Sequence, residues 1–131
     1  MRLMLDTHVW LWMIGDSDRL RPEARATLAS PDSELFISVA AVWEIAIKTA
    51  AGKMSYVGQP AIQLPIHIMR SGVIPLGIGV EHALAAAALP MHHRHPFDLM
   101  IIAQAQAEEL VLATADQRFK AYDVRLLEVA A

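Results

Sequence analysis

Apolar residues fall along the chain in short runs that alternate between strand and helix spacing. Leu3, Met4 and Leu5 form a compact run ended by Asp6, the pattern of a buried strand. THVWLWMIG then continues as a helix closed by Gly15, with Asp6 or Thr7 able to cap it. Arg21 to Ala29 reads as a surface helix begun by Pro22, and SPDS after it as a turn. LFIS, 35 to 38, is a second strand, and Ser38 caps a strong helix, VAAVWEIAIKTAAG, that Gly52 ends. A weaker helical stretch from Ile62 to Met69 leads through Ser71 and Gly72 to a third strand in VIPLG. Glu81 to Leu89 is an alanine-rich helix stopped by Pro90, MHHRHP is a loop, and Pro96 begins an apolar helix. LVLAT, 110 to 114, is a fourth strand, followed by the loop ADQRF and a last strand in VRLLEV. This alternation predicts an α/β fold whose short, mostly parallel sheet of four or five strands is flanked by helices. Ligand sites in such sheets lie just beyond the carboxyl ends of the strands, where Asp6 and Asp116 fall.

Composition narrows this picture. A chain of 131 residues fits one domain, with no repeat, linker or low-complexity segment to divide it. The apolar share of 55% exceeds the usual globular level and predicts apolar surface covered by another chain, a partner or a second copy. Cysteine is absent, so disulfides and thiolate metal sites are excluded, which fits a reducing compartment. Asp6 interrupts MRLMLD too early for a signal sequence, and no apolar run approaches the ~20 residues of a membrane span. These features predict a cytoplasmic protein with no membrane association. A net charge of −3 gives no bulk attraction to nucleic acid, which would need a local basic patch or a metal.

Four acids stand beside apolar runs: Asp6, Glu44, Asp98 and Asp116. Each has an ordinary structural explanation. Asp6 can cap a helix, Asp98 can face the positive end of a helix dipole just after Pro96, and Asp116 can cap a turn over Gln117 to Phe119. Glu44 stands four residues before Lys48, the favourable spacing for a surface ion pair. Yet it lies between Trp43 and Ile45 in a helix apolar nearly all round, and a buried carboxylate needs a partner. Taken together the four are more specific. Hard divalent cations such as Mg²⁺ or Mn²⁺ prefer oxygen ligands, and acids converging at one sheet edge suit one or two such ions. Those ions activate water and neutralise charge on phosphate oxygens, so the constellation points to phosphodiester hydrolysis.

DTHVWLW, SVAAVWEIAIKTAAGK, LPMHHRHPFDLMIIAQA and LATADQRFKAYDV resemble, in order and over essentially the whole chain, the four signature blocks of PIN-domain ribonucleases. They are most similar to the VapC-type toxins of bacterial toxin–antitoxin pairs. The resemblance implies a PIN-like fold and places the family's catalytic, metal-binding acids on Asp6, Glu44, Asp98 and Asp116. Thr114 matches a small hydroxyl residue that supports the last acid or the attacking water, and Thr7 follows the first acid as it often does in these toxins. It further implies an RNA substrate, a homodimer and a cognate antitoxin. Relatives often read HHRDPFDR, whereas His95 and Leu99 stand here in place of the acid and the arginine, which alters the charge expected at the mouth of the site.

Other residues admit competing roles. His92, His93 and His95 invite a zinc reading, but their spacing fits a solvated loop better. Arg94 is a candidate RNA contact. Trp10, Trp12 and Trp43 suit base stacking or, more often, core and interface, while Met4, Met13, Met69 and Met100 read as packing. A phosphoacceptor module would need a second acid near the first strand and a lysine beyond a late one. A related phosphatase would need an acid where His8 stands. The alternative to the nuclease is a PIN-like module that binds RNA or protein without cutting.

Overall fold

The computed structural model describes residues 1–56, 58–92 and 95–131. Five strands, β1 (Arg2–Leu5), β2 (Glu34–Ser38), β3 (Ile74–Leu76), β4 (Val111–Thr114) and β5 (Leu126–Glu128), form one sheet in the order β3-β2-β1-β4-β5. Every pairing is parallel, so the expected mostly parallel sheet is parallel throughout its described strands. Six helices flank it: α1 (Thr7–Ile14), α2 (Pro22–Ala29), α3 (Val39–Ala50), α4 (Pro60–Ser71), α5 (Val80–Ala88) and α6 (Pro96–Ala107).

The centre of the sheet explains the continuous apolar run at the amino terminus. Leu3, Met4 and Leu5 lie between β2 and β4, opposite Leu35, Phe36 and Ile37 on one side and Val111, Leu112 and Ala113 on the other. With helices covering both faces, all three are fully buried, so an alternating pattern would have put polar groups in the core. Pro75 sits on the edge strand β3, where its missing N–H interrupts no central ladder.

Helix ends follow local chemistry. Ser38 Oγ accepts from the Ala40 N–H at 3.0 Å and so starts α3 directly at the end of β2. α4 runs from Pro60 to Ser71, longer than the stretch read from sequence, although Pro65 inside it forfeits a backbone hydrogen bond. Gly72 stops it at φ 75°, a left-handed conformation that a side chain would disfavour. Gln117 to Ala121, expected as a loop, form a 3-10 helix.

α6 reads as apolar nearly all round because it is central: Leu99, Ile101, Ile102, Ala103 and Ala105 are all buried, and it packs between α3 and α5. Leu99 is buried and belongs to the core. The packing expectation for Met69 fails, since it is 74% exposed, and Trp43 at 59% exposed lies outside the core of this chain. Among the described residues no helix is long and apolar enough to cross a membrane.

Ile102→Ala is expected to cost about 2–5 kcal/mol, and Ser38→Ala about 1 kcal/mol through the lost cap. Urea unfolding with an unchanged slope would give both values, and a smaller loss at Ile102 than at Ser38 would contradict the central place of α6.

Candidate active site

The carboxyl edge of the parallel sheet gathers the predicted residues. Asp6 follows β1, Thr114 ends β4, Asp116 caps the 3-10 helix, Glu44 comes from the second turn of α3 and Asp98 from the first turn of α6. Asp6, Glu44, Asp98 and Asp116 line one cavity of about 330 Å³. Asp6, Glu44 and Asp98 are buried, Glu44 almost completely, whereas Asp116 is partly open.

Two threonines tie this cluster together. Asp6 Oδ1 accepts from the Thr7 N–H at 2.7 Å, which makes Asp6 rather than Thr7 the cap of α1. The Thr7 hydroxyl instead donates to Glu44 Oε1 at 2.7 Å, linking α1 to α3. Thr114 Oγ1 donates to Asp6 Oδ2 at 2.9 Å and accepts from the Asp116 N–H at 3.0 Å. The loop beyond β4 is thereby fixed to the end of β1.

Lys48, Arg118 and the His95 ring meet these acids. Lys48 Nζ approaches Glu44 Oε2 at 2.5 Å, and the glutamate is buried, in line with its place in an apolar helix. Arg118 grips Asp116 with two nitrogens, Nε at 3.0 Å from Oδ1 and Nη2 at 2.6 Å from Oδ2, and Nη2 also stands 3.8 Å from Asp98 Oδ2. His95 puts Nδ1 at 3.1 Å from Asp98 Oδ2, out of hydrogen-bond alignment, and Nε2 at 3.8 Å from Glu44 Oε2. His95 therefore belongs to the site and not to a solvated histidine loop. Sequence reasoning missed the roles of His95 and Arg118 in the cleft, although the spacings that place them were visible. His95 precedes Asp98 by three residues across a helix start, and Arg118 follows the capping Asp116 by two. Arg94 and His93 lie outside the described residues.

A family model for the PIN domain matches residues 3–125. The chain belongs to the PIN domain family. No curated protein matches it. Solved structures share the fold over nearly the full length of both chains. VapBC2 from Rickettsia felis bound to a DNA fragment from its promoter is similar at 20% identity and a TM-score of 0.72, covering 98% of this chain and 99% of that one. DNA-bound VapBC from Salmonella typhimurium gives 18% identity, 97% of each chain and a TM-score of 0.67. VapBC-5 from Mycobacterium tuberculosis gives 23%, 98% of each chain and 0.64.

The electrostatics of this PIN domain are strained at Asp6. Burial first, then the neighbouring Asp98 and, more weakly, Glu44 push its carboxyl up to about 7 from 3.8, against the hydrogen bonds from Thr114 and Thr7. Among the described residues no three His, Asp or Glu side chains are already spaced to hold an ion. Lys48 and Arg118 place positive charge beside the acids. The donor chemistry nonetheless fits a hard divalent cation: the acids offer oxygen alone, and an ion beside Asp6 would relieve the repulsion that raises its carboxyl. A larger cavity of about 680 Å³, lined by Met13, Leu20, Leu28 and Leu35 among others, contains no carboxylate and is a separate, mainly apolar groove.

A raised carboxyl binds its proton more tightly in the folded than in the unfolded chain. Its contribution to stability is complete below about pH 4 and is lost as pH rises through about 7. In chelator, Asp6→Asn is therefore expected to gain stability relative to the unaltered protein between about pH 4 and pH 7. Thermal melts of the two forms would test this, and an offset independent of pH would overturn it.

Proposed function

We propose that residues 1–131 act as one VapC-type PIN module, a Mg²⁺- or Mn²⁺-dependent endoribonuclease that serves as the toxin of a toxin–antitoxin pair. The observation that carries this reading is the convergence of Asp6, Glu44, Asp98 and Asp116 on one cleft of a PIN domain. A bound divalent cation supplies an activated water and neutralises charge on the phosphate oxygens. Asp6, Asp98 and Asp116, with Glu44, would hold it. Thr7 orients Glu44, and Thr114 orients Asp6 and the loop that bears Asp116. Lys48 pairs with buried Glu44 and holds its carboxylate in place. Arg118 is more than half exposed, so it can leave Asp116 without unpacking the core.

An antitoxin partner is supported by the VapBC complexes among the structural relatives. The apolar groove of about 680 Å³ beside α1, α2 and α4 is suited to an apolar segment of such a partner. A homodimer is supported by an exposed stripe at four-residue spacing on α3, Val39, Trp43 and Ile47, with Val80 and Leu84 exposed at the same spacing on α5. The absence of cysteine agrees with a cytoplasmic setting.

Labelled total RNA incubated with the partner-free protein is expected to be cleaved in Mg²⁺ or Mn²⁺, spared in chelator, and spared by folded Asp98→Asn. Intact RNA with metal-loaded protein would favour a module that binds without cutting. Separately, Leu84→Glu is expected to shift the protein from dimer to monomer in analytical ultracentrifugation, and an unchanged dimer would exclude the α5 face as its interface.

A further inference from the structure

The three tryptophans have different surroundings. Trp10 is fully buried and its indole N–H donates to Ser71 Oγ at 3.1 Å, while Trp43 meets Phe97 edge-on with ring centroids 5.4 Å apart. Trp12 alone of the three lines the carboxylate cleft, partly open to solvent. It lies one helical turn beyond His8 on the same face of α1, and His8 also lines the cleft. Their rings stand 6.5 Å apart at 53°. The exposed Arg19 guanidinium lies 5.8 Å from the Trp12 ring centre. Asp6 caps α1, so the His8–Trp12 face of that helix begins beside the acids and forms a strip with Arg19 against Trp12.

We propose that this strip is a nucleotide subsite: Trp12 stacks on the base next to the scissile phosphate, and Arg19 and His8 hold the backbone beside it. The inference rests on the nuclease reading of the adjoining cleft. Three properties favour single-stranded RNA over a protein segment here. His8 and Trp12 line the cleft rather than the apolar groove, and Trp12 pairs its aromatic face with the Arg19 cation. It also offers positive charge away from acids that would otherwise repel a phosphate backbone. Arg118 and Lys48 are engaged by Asp116 and Glu44, whereas the Arg19 guanidinium is paired with a ring and not a carboxylate among the described residues. Stacking requires only a π-face, so the subsite would accept any base, with purines favoured by area.

The test measures binding separately from cleavage. In an Asp98→Asn background with Mg²⁺, a fluorescent single-stranded RNA and a matched strand with abasic residues are titrated by anisotropy. Trp12→Ala is expected to weaken binding of the base-bearing strand about tenfold and to leave the abasic strand unchanged, while Trp12→Phe retains most of the affinity. Arg19→Ala should weaken both strands alike and reduce the salt dependence. Trp12 also packs against the core, so a second readout uses the unaltered indole. Its N–H signal, assigned by its loss in Trp12→Phe, should shift with the base-bearing strand and not with the abasic one. Equal binding by Trp12→Ala and its parent, or an unmoved indole signal, would overturn the subsite and assign the strip to a protein contact. Trp12-dependent binding without cleavage by the protein carrying Asp98 would sink the nuclease reading and leave the subsite standing. Cleavage with Trp12-independent binding would do the reverse.

Discussion

Asp6 sits where the central strand ends, with two other buried carboxylates, Asp98 and Glu44, lining the same cleft. Its carboxyl is pushed up to about 7 by that burial and by Asp98 and Glu44. The molecule tolerates this because neighbouring groups hold three of the acids in place. Thr114 and the first turn of α1 hold Asp6, Thr7 and Lys48 hold Glu44, and Arg118 grips Asp116. Those anchors join β1, β4, α1 and α3, so the site and the fold share the same hydrogen bonds. A packed apolar side chain in place of any one acid would relieve local repulsion, which is the usual mark of residues kept for chemistry rather than stability.

A parallel sheet makes this crowding possible. All five strands end on the same edge, and α1 and α3 start there within a residue of a strand. Capping residues, first-turn acids and helix amino termini thus accumulate at one place. Asp98 illustrates the double use: in the first turn of α6 it faces the positive end of the helix dipole, and it is also 3.8 Å from the Arg118 guanidinium that bridges toward Asp116. The ordinary structural role holds the carboxylate in place, and the proposed chemistry needs it there.

The remaining surfaces divide by chemistry. Acids and their cations occupy the sheet edge, an aromatic and cationic strip leaves it along α1, and apolar stripes lie on α3 and α5. This segregation accounts for the high apolar share in a chain of 131 residues: exposed Trp43, Leu84 and Met69 are not core residues in this chain. Composition signalled excess apolar surface, and only the fold says on which helices it lies.

The sequence by itself determined the order and type of the elements, because period, caps and prolines are local signals. Leu3 to Leu5 read as a buried strand, Ser38 as a cap and Pro96 as a helix start without any tertiary information. It also singled out the four acids, since a carboxylate in an apolar run is anomalous wherever the chain goes. What it left open were contacts across the fold. Thr7 was read as a possible cap, yet it donates to a glutamate 37 positions away. His95 was read as part of a loop, and it lines the carboxylate cleft because the start of α6 packs against α3. Local propensity acts over a few residues, whereas burial and the company of charges depend on chain segments brought together by the sheet, and only the tertiary structure decides those.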